Sequence, residues 1–172
     1  MMRHVVFLRA INVGRRRIKM DVLREVFERF GFTDIQTVIA SGNVVFTTST
    51  PPMVEDVEAH FEREVGFSSM VFVRSADEVR SILSHRPWRH DGAVVDVSFL
   101  RTRPDRARSI ELEKSASSPE AIAVIGTEVF FLRAGRGLPT THKEADTVRI
   151  LGRESTRRGI TTVERVAALL DP

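Results

Sequence analysis

The chain has 172 residues, 42% of them hydrophobic and 28% charged, with five histidines and no cysteine. Without cysteine there is no disulfide framework, no thiolate zinc site and no cysteine nucleophile, and without an apolar run near twenty residues or a charged-then-apolar leader the expectation is a cytoplasmic protein with no membrane span. The pI of about 10.1 overstates the basicity, because no Tyr, no Cys and only three Lys leave little to titrate between neutrality and the arginines; the net charge of +3 is the better measure and makes nucleic acid an unlikely partner.

Charge is also evenly spread. Residues 1–75 carry ten cations and nine anions, and residues 76–172 carry sixteen and fourteen, so neither half is a basic arm. A chain of this length buries roughly 70% of its unfolded surface, enough for one domain or two small ones sharing a core.

Taken in order, residues 5–11 form a β-branched and aromatic run with one charge, Arg9, and predict a buried central strand. It stops at Asn12-Val13-Gly14, where Asn and Gly tolerate the positive φ of a sharp turn. Arg15, Arg16, Arg17 and Lys19 follow, and then Met20, Leu23, Val26, Phe27 and Phe30 fall at helical spacing up to Gly31. Residues 35–40 and 44–47 are strands joined by Ser41-Gly42-Asn43, a hairpin. After Pro51-Pro52, Val54, Val57, Phe61 and Val65 mark a second amphipathic helix ending at Gly66, with an acidic face best read as solvated, and residues 70–73 are a fourth strand. The order βαββαβ is the ferredoxin-like one.

The second half is an approximate echo. Ser75 to Glu78 forms an N-terminal capping box ahead of Val79, Ile82 and Leu83. Residues 94–100 are a strand, 104–114 a helix, and 122–125 and 129–132 a hairpin around Gly126-Thr127-Glu128; residues 161–170 close the chain as a helix. The expectation is an α+β protein of two ferredoxin-like lobes with mainly antiparallel sheets: residues 1–74, and a second α+β lobe of residues 75–172 packed on the first.

Three stretches, LRAINVG at 8–14 with KMDVLR at 19–24, GFTDIQTVIASGNVVF at 31–46, and the tail, resemble the bacterial domain of unknown function 1697 family. The resemblance covers nearly the whole chain and implies a two-lobed α+β fold with ferredoxin-like halves; the family carries no established activity. In the tail, where the family shows a TxRNWxTV run, Thr156, Arg158, Thr162 and Val163 fit, but Gly159 and Ile160 replace its Asn and Trp. Ala40 likewise stands where the family usually has Gln.

In a ferredoxin-like half the loop after the first strand and the hairpin between the second and third lie at one edge of the sheet. Arg9, Asn12, Gly14, Arg15, Arg16, Arg17, Ser41, Gly42 and Asn43 are therefore the candidate ligand-binding residues, a set of amides, a hydroxyl and guanidinium groups suited to an anionic or phosphate-bearing small molecule. The bland alternative is a pair of ordinary turns beside a solvated charge run. For Arg9 the bland reading is a structural salt bridge, and the sharper one an exposed RNA-binding face on which Phe7 and Phe46 would have to stack bases. Other functional readings are an enzyme acting on a phosphorylated small molecule and a weak nucleic-acid binder using residues 15–19. The loop 133–143 lacks both GxxxxGK[ST] and GxGxxG, and His85, His90 and Asp91 lack a metal-site spacing, so neither a cofactor nor a metal is expected. No GxSxG elbow or other catalytic apparatus is present.

Overall fold

The computed structural model of the protein describes residues 1–14, 16–38 and 42–171. The chain divides into two compact units, Met1–Ser81 with Thr162–Pro172, and Ile82–Thr161.

The first unit begins β1 (Met2–Leu8), α1 (Met20–Arg29), β2 (Thr33–Val38), β3 (Asn43–Thr48), α2 (Val54–Val65) and β4 (Val71–Ser75). Its sheet has the order β2-β3-β1-β4 with every neighbouring pair antiparallel, so β1 is interior, as the apolar run predicts. Leu23, Val26 and Phe27 of α1 and Val57 and Phe61 of α2 pack in one cluster with Val6, Leu8, Val44, Phe46 and Val71 of the sheet. Burying each such side chain contributes about 1.5–3 kcal/mol. Gly66 ends α2 in the left-handed conformation, φ 83°. The capping box that starts α3 (Ala76–His85) is formed: the Glu78 N–H donates to Ser75 Oγ at 3.2 Å and the Ser75 N–H to Glu78 Oε2 at 2.7 Å.

The first strand ends earlier than its hydrophobicity suggests. β1 stops at Leu8, and positive φ at Ala10 (53°) and Asn12 (59°) turns the chain away, so Arg9 and Ile11 are loop residues rather than members of a strand face. The RNA-platform reading fails on burial, because Phe7 and Phe46 are both 0% exposed and neither can stack a base.

The second unit contains β5 (Val94–Leu100), α4 (Arg106–Lys114), β6 (Ala121–Ile125), β7 (Glu128–Arg133), α5 (Glu144–Leu151) and β8 (Ser155–Gly159), and the chain finishes in α6 (Ile160–Leu170). Its antiparallel sheet has the order β6-β7-β5-β8. Both α5 and β8 lie where the sequence pattern predicts only loop. With them the second unit is not an approximate echo but the same βαββαβ topology with the equivalent strand order.

The register makes the repeat residue by residue. VVFLR at 5–9 matches VSFLR at 97–101; Val5 lies opposite Arg74 and Val97 opposite Arg158. The Leu8 N–H donates to the Gly42 carbonyl at 2.8 Å, and the Leu100 N–H to the Thr127 carbonyl at 2.8 Å. Glu58 stands eight residues before the left-handed cap Gly66, and Glu144 eight before the left-handed cap Gly152. Each carboxylate anchors the first residue of the last strand: Glu58 Oε1 accepts the Val71 N–H at 2.8 Å, and Glu144 Oε1 accepts the Ser155 hydroxyl.

Candidate functional site

The two units differ most in their links, and the differences in the first unit converge on one place. Between β1 and α1 the chain runs through residues 9–19, whereas between β5 and α4 it runs only through 101–105; between α2 and β4 it runs through 66–70, but between α5 and β8 only through 152–154. The longer links of the first unit, with the side of α2, enclose a cleft of ≈ 480 Å³ lined by Arg9, Arg16, Glu58, Glu62, Ser68 and Ser69 among others. In the second unit the two short links are tied together instead, Arg153 Nη1 donating to Thr102 Oγ1 at 2.6 Å.

The cleft is held from both sides. The Arg9 N–H donates to the Met70 carbonyl at 2.9 Å, Ser69 Oγ donates to the Arg9 carbonyl at 2.8 Å, and Arg9 Nη1 approaches Met70 Sδ at 3.9 Å. Arg16 places its guanidinium carbon 5.6 Å from the centroid of the Phe67 ring, a cation–π contact that orients an exposed side chain. Glu58 and Glu62, on one face of α2 four residues apart, supply carboxylates that the acidic-face reading of the sequence assigned to bulk solvent.

The other sequence-predicted residues serve their own turns. Asn12 Oδ1 accepts the Ile18 N–H at 2.9 Å, closing the loop that carries the arginines. Asn43 is 0% exposed and its Nδ2 donates to the Val38 carbonyl at 2.8 Å, locking the hairpin. Gly14 faces open space at φ 62°, and Arg17 is exposed. Gly42 brings the hairpin and the first loop together, since a Cβ built on it would lie 2.6 Å from Ile11 Cδ1. Arg15 and Ser41 lie outside the described residues. The sequence signal missed is Ser68-Ser69 after Gly66, a link longer than a strand connection needs.

A second polar constellation lies on the helix-covered face of the second sheet. Arg157 Nε is 3.0 Å from Glu144 Oε2, its Nη1 donates to the His142 carbonyl at 2.9 Å, and its guanidinium stacks 3.7 Å from the Phe131 ring centroid. Ser98 Oγ donates to Glu144 Oε2 at 2.9 Å. Burial lowers the Arg157 guanidinium below its ordinary range, opposed by Glu144 and Asp96. Burial also pulls Arg158, on the other face, down to about 10, which still leaves it charged at neutral pH. A further cleft of ≈ 500 Å³ lies between α4 with the link before it and the β6–β7 hairpin, lined by Arg103, Arg106, Ser109, Glu113, Val124 and Gly126 among others.

His142 also stacks on the Phe131 ring, 5.5 Å between centroids, and its Nε2 is buried without a hydrogen-bond partner. Burial, and next the Arg157 charge, lowers its pKa below the usual 6.5, and burial lowers that of His4 in the first unit. The unfolded chain takes up protons near pH 6.5 while the native state resists them, so this stability is intact above that pH and is lost as pH falls through it. Asp146, held below 3.8 chiefly by the Lys143 N–H, titrates outside the window. The urea midpoint is therefore expected to drop between about pH 7.5 and 5.5, and His142→Gln to reduce the drop.

Fold and cleft together define a two-lobed α+β protein of repeated ferredoxin-like units, one carrying a charged surface cleft built by its longer links. Among the described residues no helix is long and apolar enough to cross a membrane. The chain belongs to the family described as "Protein of unknown function (DUF1697)", which matches residues 1–130 and so ends before α5, β8 and α6. Among solved structures it is similar to the conserved bacterial protein SP0830 from Streptococcus pneumoniae, with a TM-score of 0.77 and 23% identity over 100% of this chain and 99% of that one. That likeness establishes the fold. No curated protein matches the chain.

Proposed function

We propose that the protein is a binding module for a small ligand with an anionic group, seated in the cleft where Arg9, Arg16, Ser68 and Ser69 meet. The observation that carries this reading is the comparison of the two units. Both share strand order, register and the glutamate anchor of the last strand, yet only the first lengthens the links after β1 and α2, and both extensions line one cavity. A pocket of about 300–1,000 Å³ is of the size that takes small molecules. Guanidinium groups and hydroxyls are the donors an oxyanion uses, and charge-assisted bonds to them are roughly twice as strong as neutral ones. Asn12 closes the first loop and Gly42 and Asn43 hold the hairpin beside it, but none of these, nor Gly14, lines the cleft.

Phosphate and simple carboxylates at millimolar concentration are expected to raise the melting temperature in proportion to ln(1 + [L]/Kd). Arg16→Ala should leave the unliganded protein within about 0.5 kcal/mol of the parent, since its side chain is exposed, while removing the anion-dependent rise. If no anion raises the melting temperature of the parent, the reading is wrong. With a net charge of +3 and buried aromatics at the sheet, binding to RNA or DNA at physiological salt is expected to be no tighter than about 10⁻⁴ M in a filter or anisotropy assay. A submicromolar, steeply salt-dependent affinity would favour a nucleic-acid role instead.

A further inference from the structure

We propose that the ligand of this cleft is a zwitterion, with its anionic group at Arg16 and Arg9 and an ammonium group at Glu62; the inference rests on the reading of the cleft as an anion site. The cleft carries charge of both signs. Among the described residues, Arg9 and Arg16 line it from the β1–α1 link and Glu58 and Glu62 from α2, so the formal charges of this lining cancel. A purely anionic ligand gains from the guanidinium groups and is repelled by the carboxylates, and a simple cation meets the converse. A molecule carrying both charges at opposite ends is attracted at both.

The two carboxylates are not equivalent. Glu58 commits Oε1 to the Val71 N–H, the anchoring role that Glu144 repeats in the second unit, so Glu58 belongs to the shared frame. Glu62 has no such counterpart. The position four residues after Glu144 is Val148, and in the first unit it carries an exposed carboxylate on the cleft wall. Glu62 also stands in the last turn of α2, where the negative end of the helix macrodipole adds to the attraction for a cation. Arg16 too belongs to the extended link that the second unit lacks. The two opposite charges specific to the first unit therefore line the same cavity, whose ≈ 480 Å³ suits a metabolite rather than a polymer.

The full chain is titrated calorimetrically, with thermal shift in parallel, against inorganic phosphate, ethylamine, O-phosphoethanolamine and β-alanine. At least one of the two zwitterions is expected to bind about tenfold more tightly than phosphate, the gain of one added charge-assisted contact. Comparison of phosphoethanolamine with β-alanine shows whether phosphate or carboxylate is the preferred anion. Glu62→Gln should weaken the zwitterion and remove its advantage over phosphate, while phosphate itself binds no less tightly because a repelling carboxylate is gone, and Arg16→Ala should weaken phosphate and zwitterion alike. Because both side chains are exposed, unchanged circular dichroism and urea midpoints are expected for the variants. Equal affinities for phosphate and both zwitterions, or an advantage that survives in Glu62→Gln, overturns the zwitterion inference and leaves the anion site standing. Failure of phosphate and both zwitterions to bind, or ethylamine binding as tightly as phosphoethanolamine, overturns the anion site and the inference with it.

Discussion

Replacing Gly42 with alanine should cost about 2–4 kcal/mol and lower the melting temperature by on the order of 10 °C. Two effects add at this position. The backbone sits at φ 74°, where an L side chain costs about 1 kcal/mol relative to glycine. The new Cβ would also lie 2.6 and 2.7 Å from Ile11 Cδ1 and Cγ1 and 3.0 Å from Leu8 Cβ. Leu8 is in β1 and its N–H is bonded to the Gly42 carbonyl, so the backbone cannot retreat without breaking that bond. Ile11 is 5% exposed and has little room to turn away. Gly14→Ala provides the control, because Gly14 has a similar φ of 62° and nothing within 4 Å of its Cβ position. It should lose only the conformational part, about 1 kcal/mol. Equal losses at the two glycines in urea denaturation would mean that the close approach of hairpin and first loop does not exist in solution.

The contrast between the two units also explains what could be read from the sequence. The first unit was legible because each of its core positions carries an apolar residue at the period of its element: Val6, Leu8, Val44, Phe46 and Val71 in strands, Leu23, Val26, Phe27, Val57 and Phe61 in helices. In the second unit the equivalents of Val6, Val71 and Phe61 are Ser98, Ser155 and Thr147, and Arg157 replaces Val73. β8 therefore reads STRRG, with no hydrophobic alternation, although its pairing with β5 matches that of β4 with β1. α5 did carry its signals, acidic residues in the first turn and Gly152 at the end, but it is short and follows a glycine-rich loop. For the candidate cleft, Arg9 and Arg16 were legible as charges on the loop after the first strand, whereas the hairpin residues Gly42 and Asn43 expected beside them do not line it. The cleft itself was not legible, because Ser68, Ser69 and Glu62 approach Arg16 from a link and helix far along the chain, a convergence that has no local period.

The same comparison sets up the second large effect, at Glu144. Glu144→Ala should destabilise the protein by about 2–4 kcal/mol, because it strands the positive charge of Arg157, whose side chain is only 15% exposed, and removes the acceptor of the Ser98 and Ser155 hydroxyls. The value is set below the roughly 3–5 kcal/mol of a fully buried pair because the Glu144 side chain is itself 29% exposed. Surface pairs such as Arg24–Asp21, 43% and 85% exposed, should give less than about 1 kcal/mol by the same measurement. The first unit has valines at the equivalents of Ser98, Ser155 and Arg157 and keeps a carboxylate, Glu58, at that of Glu144, so the fold requires neither the two hydroxyls nor the guanidinium, and without them the Glu144 carboxylate loses its buried partners. Replacing the whole cluster, Ser98→Val, Glu144→Leu, Ser155→Val and Arg157→Met, should then cost less than Glu144→Ala alone, with the methionine keeping a contact on the Phe131 face that the guanidinium now covers. Denaturation midpoints of the single and quadruple variants decide the matter. A quadruple variant less stable than Glu144→Ala would mean that the network stabilises the second unit beyond what apolar packing can replace.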